Sequence, residues 1–201
     1  MKKRINTIIF FASMLALASF AASQKGFMTD FRDGKKYTTV KIGAQIWMAE
    51  NLNYKTKNSY CYDDEPSNCE EYGRLYIWEA ALKVCPKGWH LPSKAEFKIL
   101  IEMVGGDKSG ASLIPTSYYG TDDYGFSALP AGRRHRNKGD YDFKGEITAF
   151  WSYSTDQAGI PYVMRMNMDS LYFKSDLPII IVLLNASKYT GYSVRCLKDS
   201  P

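Results

Sequence analysis

Reactive side chains are scarce in this chain. It holds two histidines, His90 and His135, and four cysteines, no two of which stand in C-x2-C spacing. A four-cysteine zinc site therefore lacks its usual ligand pairs. His90 stands beside Trp89 and just ahead of a helix-capping pattern, where structural hydrogen bonding is the expected role. His135 lies in Arg133-Arg-His-Arg-Asn-Lys138, a basic run that reads as a solvated loop. Glu50, Glu79, Asp122 and Asp123 are the carboxylates worth noting, but a glycoside-cleaving pair is defined by separation in space, not in sequence. Internal repeats and low-complexity linkers are missing too. Beyond the first 23 residues the longest apolar run, residues 177–184, is too short to span a bilayer and carries Pro178.

What stands at the N-terminus reads as an export signal. Lys2, Lys3 and Arg4 precede an apolar run over residues 5–22 that ends in small residues. Cleavage after Ala21 or after Ser23 fits the small-x-small rule, so residues 1–23 are read as a signal peptide. No cysteine follows the apolar run closely enough for lipid attachment. Those three basic residues account for three of the formal net charges of +5, leaving +2 for the rest. So small a charge gives no argument for nucleic acid or for an anionic membrane. The expected location is the periplasm, the outer surface or the outside. About 178 residues remain, enough for one domain with a sizeable core.

All four cysteines lie in that remainder, and in an oxidising compartment an even count reads as two disulfides with three possible connectivities. Cys61 and Cys69 bracket Tyr-Asp-Asp-Glu-Pro-Ser-Asn, a polar stretch whose turn-forming residues let its ends approach. That favours Cys61–Cys69, with Cys85–Cys196 tying the middle of the chain to its end. In the chain-entropy picture the long loop contributes about 4.7 kcal/mol and the short one about 2.5.

Local patterns give the elements. Tyr37-Thr-Thr-Val-Lys-Ile42 reads as a strand, with Gln45-Ile-Trp-Met-Ala49 as its hairpin partner across Gly43-Ala44. Leu75, Trp78 and Leu82 share one face of a helix over residues 75–82. A second helix starts at the Ser93/Glu96 capping box, continues through Phe97, Leu100, Ile101 and Val104, and stops at Gly105-Gly106. Short β segments follow at residues 125–130 and 148–153. Tyr162, Met164, Met166 and Met168 alternate with Val163, Arg165, Asn167 and Asp169, as in a half-buried strand. Residues 171–174 read as pairing back, 179–184 as a fully buried strand, and 192–196 as a last strand in which Tyr192, Val194 and Cys196 alternate with Ser193 and Arg195. The class is α+β: two helices in the N-terminal half, then an irregular, mostly antiparallel sheet.

These segments carry a resemblance. The stretch from Phe31-Arg-Asp-Gly through Trp47-Met-Ala-Glu-Asn-Leu-Asn-Tyr54 resembles the opening of the Fibrobacter succinogenes major paralogous domain. So do Tyr72-Gly-Arg-Leu-Tyr-Ile-Trp78, Cys85-Pro-Lys-Gly-Trp-His-Leu-Pro-Ser93, Tyr124-Gly-Phe-Ser-Ala-Leu-Pro-Ala-Gly132, Phe150-Trp-Ser152 and Ser193-Val-Arg-Cys-Leu-Lys198. The likeness spans residues 27–199, taken as a single domain. More distantly, Trp89-His-Leu-Pro-Ser-Lys-Ala-Glu-Phe97 and Tyr192-Ser-Val-Arg-Cys196 are similar to the formylglycine-generating, sulfatase-modifying family. This second resemblance implies a C-type-lectin-like fold and, independently, the Cys85–Cys196 bond.

Fold does not bring function with it. The oxidase chemistry of that distant family needs a reactive cysteine pair before the closing strand, and no cysteine lies between Cys85 and Cys196. Asp64-Glu-Pro-Ser67 is similar to a lectin's calcium-dependent sugar-binding tripeptide, but it sits before the helices and reads as a solvated acidic loop. The expectation is an exported, non-catalytic binding or scaffolding module with no catalytic residue, metal or cofactor. Its partner would be a polysaccharide or a cell-envelope protein. Trp47, Trp89 and Trp151 are the candidate stacking residues, though each would serve equally to fill a core. A ligand face is expected in the loops over residues 105–124 and 132–145. The alternative is an enzyme on a formylglycine-generating-like fold with other chemistry.

Overall fold

The computed structural model describes residues 24–136, 140–168 and 178–200. The expected signal peptide, with its cleavage site, and the segment 171–174 lie outside the described residues.

The β-branched run after the turn at Asp33-Gly34 becomes β2 (Lys36–Ile42), which hairpins into β3 (Gln45–Met48). The two-residue turn between them places Gly43 at φ 59, a backbone setting open to glycine at little cost. On the outer side β1 (Gln24–Thr29) pairs with β2 over its whole length. Two short strands from elsewhere, β6 (Trp89–His90) and β12 (Leu197–Lys198), complete a five-stranded antiparallel sheet in the order β1-β2-β3-β12-β6. The chain's end is thereby fixed in the middle of a sheet begun by its start.

Three α-helices occur among the described residues: α1 (Pro66–Tyr72), α2 (Trp78–Val84) and α3 (Lys94–Met103). α3 starts at the expected capping box. The Ser93 hydroxyl accepts from the Glu96 amide at 3.0 Å, and the Glu96 carboxylate accepts from the Ser93 amide at 2.7 Å. α1 is an addition to the sequence reading. Asp63 and Asp64 take left-handed conformations, and Pro66 then opens a helix inside the loop closed by Cys61–Cys69. The expected helix over residues 75–82 begins only at Trp78. Leu75 and Tyr76 form β5 (Leu75–Tyr76) with β4 (Ser59–Tyr60), because the Tyr76 amide bonds the Tyr192 carbonyl at 2.8 Å.

In the C-terminal half, β9 (Ile147–Thr155), β10 (Pro161–Asn167) and β11 (Ile181–Asn185) form an antiparallel sheet in the order β11-β10-β9. A small hairpin, β7 (Arg133–Arg134) and β8 (Tyr141–Asp142), precedes it. Core residues lie on both sides of these strands. Trp47, Phe126, Phe150, Met164 and Met166 join Phe97 and Leu100 of α3 in one cluster. Tyr37, Met48, Tyr76, Trp151, Val163 and Val194 join Ala81 and Val84 of α2 in another.

That two-sided burial corrects several expectations. Met164, Met166 and Met168 are buried while Arg165 is half-buried and Asn167 exposed, as the alternation predicts, but Val163 is as fully buried as Met164, so the second face of β10 is covered at that end. β11 sits at a sheet edge, and Val182, Leu183 and Leu184 are half-exposed rather than fully buried. Residues 125–130 form no strand. Only residues 197–198 of the chain's end form a ladder strand, while Gly191, Tyr192 and Ser193 make isolated bridges. Ser193 and Arg195 are buried together with Tyr192, Val194 and Cys196, so the alternation of that segment does not separate an inner from an outer face.

Both disulfides, Cys61–Cys69 and Cys85–Cys196, are present. The class is α+β with antiparallel sheets. No helix among the described residues is long and apolar enough to cross a membrane.

Candidate functional site

The expected stacking residues part company. Trp47 and Trp151 have no exposed surface and belong to different core clusters, so neither can offer a face to a ligand. Their indole N–H groups are used inside, Trp151 donating to the Tyr76 carbonyl at 2.7 Å and Trp47 to the Gln45 side chain at 3.3 Å. Both are corrected from candidate platform to core. Their large apolar area is worth more buried, provided the N–H finds a partner. Trp89 keeps partial exposure while leaning on the second cluster.

His90 is held between two carboxylates. Its Nδ1 lies 2.7 Å from Asp199 and its Nε2 lies 2.9 Å from Glu96. Burial alone would lower its pKa, but the hydrogen bonds to Asp199 and Glu96 outweigh this and raise it. Burial likewise pushes Glu96 up, and the bonds from Ser93 and His90 bring it below its ordinary value. The group clamps the chain's end to the start of α3.

The other carboxylates serve separate turns. Glu50 accepts from the Thr38 amide at 2.6 Å. Asp122 accepts from the amide and hydroxyl of Ser127, and Asp123 from Thr121. Asp64, in the lectin-like tripeptide stretch, accepts from the Tyr141 hydroxyl at 2.7 Å. Among the described residues no three of His, Cys, Asp and Glu gather as a metal-binding group.

Open space lies elsewhere. Two concavities lined by described residues stand out, and the larger measures about 590 Å³ and is walled by the turn at residues 158–161, by residues 185–188, and by Arg136. Its frame is fixed by the backbone. The Ala186 amide bonds the Pro161 carbonyl, the Asn185 amide side chain bonds the Ile160 carbonyl, and Arg134 and Gly191 exchange both main-chain bonds. The turn itself depends on Gly159 at φ 75. Among the described residues, Arg136 and Lys188 are the charged lining residues and no acid lines the cavity. The nearest carboxylate in sequence, Asp156, is turned into its own loop and accepts from the amides of Ala158 and Ile160.

Within the basic run, Arg133 is paired with Asp142 at 2.8 Å and Arg134 lies 3.9 Å above the Tyr60 ring. Arg136 is left to face the cavity. The second concavity, about 270 Å³, is charge-balanced, because Glu79 joins Arg32 and Lys83 in its lining. There Arg32 is already bound to Asp30 and stacked on Tyr54.

Against known proteins, the sequence profile of the Fibrobacter succinogenes major domain matches residues 40–198. The chain belongs to that family. No curated protein and no solved structure matches it. The matched span of the major domain begins inside β2, so β1 lies ahead of it although it pairs with β2 throughout. Both disulfides and the whole larger cavity fall within the match.

Of the two loops expected to carry a face in this domain, residues 132–145 supply Arg136 and residues 105–124 supply nothing to the larger cavity. Sequence reading missed the 158–161 turn and Lys188. The Asp156-Gln-Ala-Gly159 turn signature marks the first, and nothing local marks the second.

Proposed function

We propose that this major domain is an exported, non-catalytic binding module of the cell envelope or surface, with a C-type-lectin-like fold and a carbohydrate as ligand. Export is supported by the basic, then apolar N-terminal segment and by two disulfides, which persist in oxidising compartments. The fold reading is supported by Cys85, just ahead of the Trp-His-Leu-Pro-Ser segment that opens α3, being bonded to Cys196 next to the closing strand.

The cavity of about 590 Å³ carries the binding reading. Its size suits a small ligand, and it combines an apolar turn with two cations and an amide. Tyr189, 56% exposed, follows the lining residue Lys188 in sequence, with its ring centroid 5.3 Å from the Lys188 ammonium. Sugars are held by this mixture of apolar face and polar edge.

A depletion assay tests the reading. Mature protein is incubated with cellulose, xylan, peptidoglycan or isolated envelope, with and without calcium, and the fraction left in solution is measured. Retention on a polysaccharide that weakens in Tyr189→Ala is the expected result. Retention on envelope protein alone would remove the carbohydrate ligand. Turnover of a polysaccharide, abolished by one carboxylate substitution, would make the protein an enzyme.

A further inference from the structure

We infer that the larger cavity selects acidic sugars, taking the carboxylate of a uronate residue between Arg136 and Lys188. This rests on the carbohydrate reading above and narrows it. The argument is one of local charge. Beyond the N-terminal signal the chain carries a formal charge of only +2, so a general pull on polyanions is weak. At the cavity the balance differs, because among the described residues two cations line it and no acid does.

Neither cation is paired with a carboxylate among the described residues, whereas Arg32 and Arg133, which line other surfaces, are. The carboxylate in the adjoining turn, Asp156, holds the amides of Ala158 and Ile160 on its Oδ1 at 2.9 Å each and is not among the residues lining the cavity. A planar guanidinium accepts a carboxylate through two parallel hydrogen bonds, and an ammonium adds a second, more flexible contact. In the same lining, Ile160 is 43% exposed and offers apolar surface on which the C–H face of a sugar ring can rest. A neutral sugar would leave both cations without an anion, so the site discriminates by charge as well as by shape.

The walls are set before a ligand arrives. Lys188 is anchored through its carbonyl, which accepts from the Trp78 amide at 3.1 Å. Arg136 follows a strand locked to Gly191. Little backbone ordering therefore remains to be done on binding.

The experiment measures retention of mature protein on immobilised polygalacturonate, with cellulose and unsubstituted xylan as neutral matrices, at low and high salt. Four proteins are compared: the parent, Arg136→Ser with Lys188→Ser, Lys98→Ser with Lys108→Ser as a control of equal charge change, and Ala158→Trp, which fills the cavity without altering charge. The expected result is retention on polygalacturonate that weakens with salt and falls at least tenfold in both the cavity double variant and Ala158→Trp, but less than twofold in the control. An equal loss in the control would reduce the effect to general electrostatics and overturn the inference. Retention on a neutral matrix alone would overturn the acidic selectivity and leave the carbohydrate reading standing. Binding to none of the three matrices would overturn both. Thermal unfolding of each variant separates lost binding from lost fold.

Discussion

Arg195 and Arg136 are the same residue type at opposite extremes of the fold. Arg195 is buried between the rings of Phe126 and Phe150, 4.4 and 5.1 Å from their centroids. Its Nε donates to Asn51 at 2.9 Å, and its other nitrogens donate to the carbonyls of Phe126 and Ser127. Burial lowers its pKa to about 9, partly offset by the fields of Asp122 and Glu50, so it stays charged at neutral pH. Arg136, by contrast, lines an open cavity. A buried cation whose hydrogen bonds are filled by two backbone carbonyls and the Asn51 side chain organises the strandless stretch around residues 125–130. A cation at a rim with no acid beside it is available to something outside. Partners and burial, more than residue type, separate an architectural charge from a recognising one.

The largest effect bearing on this contrast concerns what holds the Arg195 region in place. Replacing Cys85 and Cys196 together by serine should remove about 4 to 5 kcal/mol, read from urea unfolding, because the loop they close is long. Arg195→Met comes next. It leaves three acceptors in the interior unbonded, and a loss of about 3 kcal/mol is expected from the same measurement. A cost under 1 kcal/mol would mean that the two Phe rings, not the hydrogen bonds, set that region.

His90 lies between the extremes, and its effect is pH-dependent. Because its pKa is raised on folding, its contribution is complete below about pH 6.5, its ordinary value, and is lost as pH climbs through the folded value. Glu96 has the opposite sign: its pKa is lowered, so its contribution is complete above its ordinary value of 4.5 and is lost as pH falls through the folded one. The clamp is therefore strongest at about pH 5 to 6. The group is partly exposed, so His90→Gln should cost less than about 1 kcal/mol there and less still at pH 8, by thermal unfolding at the two pH values. An equal cost at both would mean that packing, not charge, is what His90 supplies.

Smallest of all, Arg136→Ser with Lys188→Ser should leave stability within about 0.5 kcal/mol of the parent. A larger loss would move these two residues into the architectural class and erase the contrast.

Local pattern was enough for the β2–β3 hairpin, for α3, for β9 and for Cys61–Cys69, while Cys85–Cys196 followed as the remaining pair and from the family resemblance. The first four rest on neighbours within a few residues, on a capping pair, or on the turn-forming stretch between two cysteines. Local pattern was not enough for Trp47 and Trp151. A tryptophan in a strand looks the same whether its face meets a core or a ligand, and the second core cluster that buries Trp151 comes from distant segments.

By itself, then, the sequence determined an α+β chain with a basic and apolar N-terminus, two closed loops and the family to which the domain belongs. Tertiary structure alone decided which charges are inside. Arg195 is buried because residues 51, 126 and 127 converge on it from far along the chain, and Arg136 and Lys188 line one cavity because Arg134 is bridged to Gly191. Burial and cavity formation are sums over contacts remote in sequence, and alternation within one strand carries no record of what packs against its second face.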